Sequence, residues 1–167
     1  MAIEIFIDGS YRNVSGTGSY GLVLKEKGKE DFSVIRKENN TTNNIMELKG
    51  LLLAFTLIRE AQLTEKVTIF CDSQYVVNGF NLWYDNWLSR GWKTAGNKEV
   101  KNKEIWLEIK SASLGLNFDL RWSRGTQTTR AIKKSMRLCN RLLIKNPLNW
   151  GFFILTISLI YLGQNIM

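Results

Sequence analysis

The opening segment AIEIFIDGS alternates apolar and polar side chains with a period of two, which predicts a first strand ending at Asp8 before a glycine turn. SYGLVLKEK and DFSVIRKEN, separated by the polar GKE turn, predict two further strands. Short turns between consecutive strands imply an antiparallel meander. The period then changes. In TTNNIMELKGLLLAFTLIREA, residues Ile45, Leu48, Leu52, Phe55 and Leu57 or Ile58 recur at helical spacing behind Thr and Asn residues suited to an N-cap. KVTIFCDS returns to a buried strand ending at Asp72, and SQYVVNGF predicts a short helix opened by a Ser cap. NWLSRGWKTAGNKEVKNKEIWLEIKSA reads as a Trp-rich basic connection running into another amphipathic helix, and LNFDLRW as a last strand. A meander followed by strand, helix and strand makes a mixed sheet with a crossover helix, an α/β fold.

Composition bounds this reading without changing it. A chain of 167 residues, 44% hydrophobic and 23% charged, is the length of one domain and can bury a sizeable core. The net charge of +8 suggests a polyanionic partner until it is counted by segment. Residues 1–119 hold all 15 acids and 15 of the 23 Lys and Arg residues, so the excess belongs to Arg121 through Lys145. Cys71 and Cys139 give no disulfide framework, and no signal sequence precedes the first apolar run, so a reducing cytoplasmic setting is expected. The apolar run Trp150 to Gly163 is 14 residues long, short of the roughly 18 to 20 that span a bilayer.

Three acids fall at telling places: Asp8 ends the first strand, Glu47 lies early in the long helix, and Asp72 ends the later strand. If those two strands are neighbours, Asp8 and Asp72 lie side by side, and the crossover helix can bring Glu47 over them. Such a cluster repels itself unless a divalent cation binds, and hard oxygen ligands suit Mg²⁺. Two such ions roughly 4 Å apart can activate water and stabilise the leaving oxygen in phosphodiester hydrolysis. Each acid also has a structural reading, as a turn residue or as a helix-dipole partner.

FIDGSYRN, TTNNIMELKGLLLA, CDSQYVVNGF and NWLSRGWKTAGNKEVKN…IW, in this order and spacing, closely resemble ribonuclease H of type 1 from about Ile3 to Trp122. The resemblance implies a five-stranded mixed sheet flanked by helices and Mg²⁺-dependent cleavage of the RNA strand of an RNA–DNA hybrid, with Mn²⁺ a possible substitute. It puts Asp8, Glu47 and Asp72 on three of the family's four metal-binding carboxylates. It also implies substrate contacts at Gly9, Ser10, Thr42, Asn43, Asn44 and Gln74, where contacts to ribose 2′-hydroxyls tell RNA from DNA. In the basic protrusion, Trp83, Trp87 and Trp92 interleave with Arg90, Lys93, Lys98 and Lys101. There Trp92, Lys93 and Thr94 are expected to touch the DNA strand, with Trp83 and Trp87 mainly structural. No obligate protein partner is implied, and a monomer is expected.

After the last strand the family pattern continues as W-V-K-G-H-S-G and then a G-N-E-x-x-D helix that carries the fourth carboxylate. This chain reads Trp122, Ser123, Arg124, Gly125, Thr126, Gln127 instead. These residues can be encoded TGG TCA AGG GGC ACT CAG, and one G added after TGG gives TGG GTC AAG GGG CAC TCA G, or Trp-Val-Lys-Gly-His-Ser. In the same frame, codon degeneracy through Met136 permits the missing Asn and Asp. A reading frame shifted just after Trp122 accounts at once for the loss of acids, the Lys/Arg run and the apolar ending. The expected layout is a ribonuclease H-like domain over 1–145 and an apolar tail over 146–167. Three functional readings follow: a hydrolase impaired by the missing carboxylate and loop His, a hybrid-binding protein without catalysis, and, ranked lowest, a membrane-associated protein through residues 148–163.

Overall fold

The computed structural model describes residues 2–124. Strands β1 (Ile3–Arg12), β2 (Thr17–Glu26) and β3 (Phe32–Asn39) form the antiparallel meander. Helix α1 (Asn43–Glu60) crosses to β4 (Val67–Cys71), which lies parallel to β1. Next come α2 (Gln74–Asn78), a π-helical turn over Gly79–Trp83, α3 (Tyr84–Ser89), α4 (Lys103–Ser113) and β5 (Phe118–Trp122). The sheet runs in the order β3-β2-β1-β4-β5, with β5 parallel to β4. The family resemblance implied this mixed five-stranded sheet.

The first strand does not stop at Asp8. β1 pairs with β2 through Gly9↔Tyr20, Ser10↔Ser19 and Tyr11↔Gly18 to Arg12↔Thr17, and the chain reverses only beyond Arg12, where Gly16 takes a φ of +61°. Gly9 is therefore a strand residue. Its missing side chain serves packing, because a β-carbon there would overlap the backbone of Met46 and Glu47. Strand alternation turns the Gly9 side of β1, with Ile5 and Ile7, toward α1, and turns Asp8 to the opposite face.

The core lies between that face and α1. Ile5, Ile7, Leu22, Leu24 and Ile69 on the strands meet Leu48, Leu51, Phe55 and Ile58 on the helix, all almost wholly removed from water. Each such side chain contributes about 1.5 to 3 kcal/mol, so this layer fixes where α1 sits along β1. Phe55 carries the core outward, its ring tilted against Phe118 of β5 at 4.7 Å and Phe80 of the π turn at 5.7 Å between centroids. A second aromatic cluster seats α4: Trp106 is fully buried, lies against Tyr75 and Trp87, and donates from Nε1 to the Tyr75 hydroxyl at 3.1 Å. The Trp106 ring occupies the space a side chain at Gly79 would need, so the glycine is what lets the π turn close over it.

The C-terminal features predicted from sequence lie outside the described residues: the boundary at 145, Cys139 and the apolar run over 150–163. Among the described residues no helix is long and apolar enough to cross a membrane.

Candidate active site

The parallel register of β1 and β4 pairs Ile7 with Cys71, so Asp8, still within β1, lies beside Asp72, the first residue past the end of β4. Adjacent strands are about 4.8 Å apart. Asp72 is held by its neighbours: its carbonyl accepts from Trp122 Nε1 at 3.0 Å, and the Cys71 carbonyl accepts from the Ser123 amide at 2.9 Å. The end of β5 thus clamps the end of β4.

Glu47 arrives from the other side of the sheet. Thr42 caps α1, its hydroxyl accepting from the Ile45 amide at 3.3 Å, and Glu47 opens the helix's second turn. Its carboxylate is gripped at both oxygens. Asn43 Nδ2 donates to Oε1 at 2.7 Å, and Ser73 Oγ donates to Oε2 at 2.5 Å. Ser73 is also the N-cap of α2, its oxygen accepting from the Val76 amide at 3.4 Å.

The electrostatics show how the acids are grouped. Burial pushes the Glu47 carboxyl above the ordinary range, and the charge of Asp72 adds to that, while the bonds from Ser73 and Asn43 pull it back. Burial likewise raises Asp72. The thiol of Cys71 is pushed up to about 12, chiefly by burial, with the charges of Asp72, Glu47 and Asp8 all adding. Cys71 therefore stays a neutral packing residue, and it senses all three carboxylates. All three therefore lie near Cys71 at the end of β4, Asp8 and Asp72 from the strands and Glu47 from α1. Among the described residues no three His, Cys, Asp or Glu side chains are drawn together closely enough to grip an ion as they stand.

The other predicted contacts divide by what their side chains do. Ser10 is exposed, its Oγ 2.8 Å from Ser19 Oγ. Asn44 and Gln74 are exposed in the first turns of α1 and α2. Thr42 is a cap and Asn43 holds Glu47, so both build the site whatever else they touch. Lys93 is exposed, and its backbone forms an isolated antiparallel bridge with that of Glu99. Thr94 closes the turn between them, its hydroxyl accepting from the Lys98 amide at 3.2 Å.

Trp92 departs from expectation. It is only 9% exposed, packs edge-on against Tyr84 at 5.5 Å and lies under Lys103 Nζ. A left-handed backbone, φ +63°, turns its ring inward, and its amide bonds to the Trp87 carbonyl at 2.7 Å. It is a core residue of the protrusion and has little face left for a DNA strand. Trp83, expected to be mainly structural, is 38% exposed beside exposed Leu82 and Leu88. Trp87, packed on Trp106, fits the structural expectation.

Asp119 does not join the cluster. It pairs in register with Thr68, three residues below Cys71↔Trp122, or about 10 Å down the strand. There its carboxylate binds Lys66 at 2.9 Å and Arg121 at 3.0 Å, and those bonds, Lys66 first, lower its pKa. Sequence reasoning noticed Ser73 as a cap and missed its bond to Glu47. The signal was its place directly after Asp72, where a capping hydroxyl is carried beside the acids.

The ribonuclease H family model matches residues 1–135. The ribonuclease H of Francisella philomiragia is 35% identical over 136 residues, covering 81% of this chain and 87% of that protein. Among solved structures, LC9-RNase H1, a type 1 ribonuclease H with the type 2 active-site motif, superposes with a TM-score of 0.66 at 27% identity. That match covers 80% of this chain and 69% of the other. LC11-RNase H1, solved in complex with an RNA/DNA hybrid, shares the fold with a TM-score of 0.59 at 20% identity, over 78% and 91% of the two chains. Fold, edge carboxylates and sequence kinship converge, and the chain belongs to the ribonuclease H family.

Proposed function

We propose that the chain acts on RNA–DNA hybrids, hydrolysing the RNA strand at the β1–β4 edge, and that its turnover is impaired by the absence of a fourth carboxylate. The observation that carries this reading is the double grip on Glu47 beside Asp72. A half-buried carboxylate beside another acid is costly unless a cation neutralises it, and the two bonds hold this one in place for such an ion.

The donor set fits a hard divalent ion. It consists of carboxylate oxygens, and burial raises the pKa of two of them, Glu47 and Asp72, so that a bound cation would offset the cost of their charge. Asp8, Glu47 and Asp72 would hold Mg²⁺, or Mn²⁺ in its place. When bound, the ion acidifies a water and takes up charge on the phosphate. The residues of the chain do the positioning. Asn43 and Ser73 aim Glu47, Trp122 fixes the Asp72 backbone, and Gly9 lets α1 lie close to β1. Exposed Ser10, Asn44 and Gln74 surround the edge and would face the RNA strand. Arg90, Lys93, Lys98 and Lys101 are exposed on the protrusion and would neutralise DNA phosphates without choosing a sequence. Trp83 offers an apolar face there that Trp92 does not.

Impairment follows from where the acids stop. No Asp or Glu follows Asp119, and Asp119 is tied up in its own ion pairs down the strand. The same observation favours the second reading, hybrid binding without cleavage. Purified chain incubated with end-labelled hybrid and Mg²⁺ or Mn²⁺ separates the two. Slow cleavage abolished by Asp72→Asn supports an impaired hydrolase; salt-sensitive binding with no cleavage supports the second. Cleavage at the rate of an intact family member would overturn the impairment.

A further inference from the structure

Ser73 stands between two structural tasks. Its hydroxyl has one proton and two lone pairs. The Val76 amide can only donate, so it takes a lone pair, and the hydroxyl proton is left for Glu47 Oε2 at 2.5 Å. The residue is buried, 8% exposed, which leaves water little access to that proton. We infer that Ser73 is a positioning residue: its hydroxyl fixes the rotation of the Glu47 carboxylate and so orients the oxygens that would meet a divalent cation.

The geometry makes this more than helix capping. Glu47 and Ser73 are 26 residues apart in sequence and sit on different helices, and this bond joins α1 directly to the start of α2. Asn43 holds the other oxygen from within α1. With one bond on each oxygen, the carboxylate cannot rotate without breaking both, and the lone pairs that remain point away from the two donors. Removing Ser73's hydroxyl leaves Glu47 pivoting on Asn43 alone. Outer partners of metal ligands typically set affinity by tenfold or more in this way.

The inference rests on the proposed reading of Asp8, Glu47 and Asp72 as cation ligands. It is tested by Mn²⁺ binding to the full chain, followed by the electron paramagnetic resonance of free Mn²⁺, alongside urea unfolding. The variants are Ser73→Ala, which loses hydroxyl and cap; Ser73→Gly, which keeps a serviceable N-cap without the hydroxyl; and Ser73→Thr, which keeps both. Both Ala and Gly should weaken Mn²⁺ binding by about tenfold. Thr should restore it to within about twofold of the parent, and the Gly variant should unfold near the parent's urea midpoint. If Mn²⁺ binding is lost in Asp72→Asn but unchanged in Ser73→Ala and Ser73→Gly, the positioning role is wrong while the site stands. If the parent chain takes up no Mn²⁺, the site and the positioning role fall together.

Discussion

Gly9 and Glu47 touch backbone to backbone: a β-carbon on Gly9 would overlap the amide nitrogen of Glu47. The obstacle is helix backbone, which cannot swing aside like the end of a long side chain. Gly9→Ala should therefore push the first turns of α1 off β1, costing about 1 to 3 kcal/mol of stability as overpacking does. Because Glu47 rides on that turn, Mn²⁺ binding should weaken as well. A urea midpoint and an Mn²⁺ titration equal to the parent's would show that α1 does not rest on Gly9.

Burial and exposure separate the tryptophans of the protrusion. Trp92→Ala removes a buried ring packed on Tyr84 and should cost about 3 to 5 kcal/mol. Trp83→Ala should leave the unfolding midpoint nearly unchanged and weaken binding to an RNA–DNA hybrid. Fluorescence anisotropy at two salt concentrations, with unfolding curves beside it, distinguishes the two. Loss of hybrid affinity in a still-folded Trp92 variant, with none at Trp83, would reverse the assignment.

The same contrast shows what could be read along the chain. Alternation in AIEIFIDGS and the change of period at TTNNIMELK depend on neighbours in sequence, and they gave the strands, the crossover helix and the edge where Asp8 and Asp72 emerge. What was hidden depends on distant partners. β1 continues past Asp8 because β2 supplies partners through Thr17, which no local glycine signal reveals. Trp92 is buried because a left-handed residue turns it onto Tyr84, and Ser73 reaches Glu47 across 26 residues. Regular spacing could not tell an inward Trp from an outward one.

The raised pKa values of Glu47 and Asp72 set the sign of a pH effect. A carboxyl whose folded pKa lies above its unfolded value of about 4 binds protons more tightly in the folded chain. Stability from these groups is then greatest below the unfolded pKa. It falls as pH rises to the raised folded value and stays reduced above that. Without divalent cation, Glu47→Gln or Asp72→Asn should flatten this fall and raise the thermal midpoint at neutral pH. Millimolar Mg²⁺ should raise the parent's midpoint and leave the variants' unmoved. A parent midpoint that climbs steadily from pH 4 to 7 without metal, more than the variants' does, would contradict the raised values.

Asp119 gives the opposite sign and a different place. Its pKa is lowered by Lys66 and Arg121, so its contribution is present above the unfolded pKa and fades as pH falls through the folded one. Held by its own ion pairs three residues down the strand from the clamp at Trp122, it should be irrelevant to the cation. Asp119→Asn is expected to leave Mn²⁺ binding unchanged. A loss matching that of Asp72→Asn would make Asp119 the missing ligand after all.

The sharpest expectation concerns the codons after Trp122. The clamp that Trp122 and Ser123 form on β4 is intact, so the sheet is delivered to the point where the family's next carboxylate would follow. If one base is missing there, the coding DNA contains an alternative frame in which His, Asn and Asp reappear within fourteen codons of Trp122. A chain expressed with that G restored should cleave a labelled hybrid in Mg²⁺ faster than the present chain by on the order of a hundredfold, the scale on which a misplaced reacting group slows catalysis. Its cleavage should vanish with Asp72→Asn. DNA across this stretch that opens no family-like frame under any single-base insertion refutes the frame shift. A restored chain no faster than the present one would mean that three carboxylates suffice.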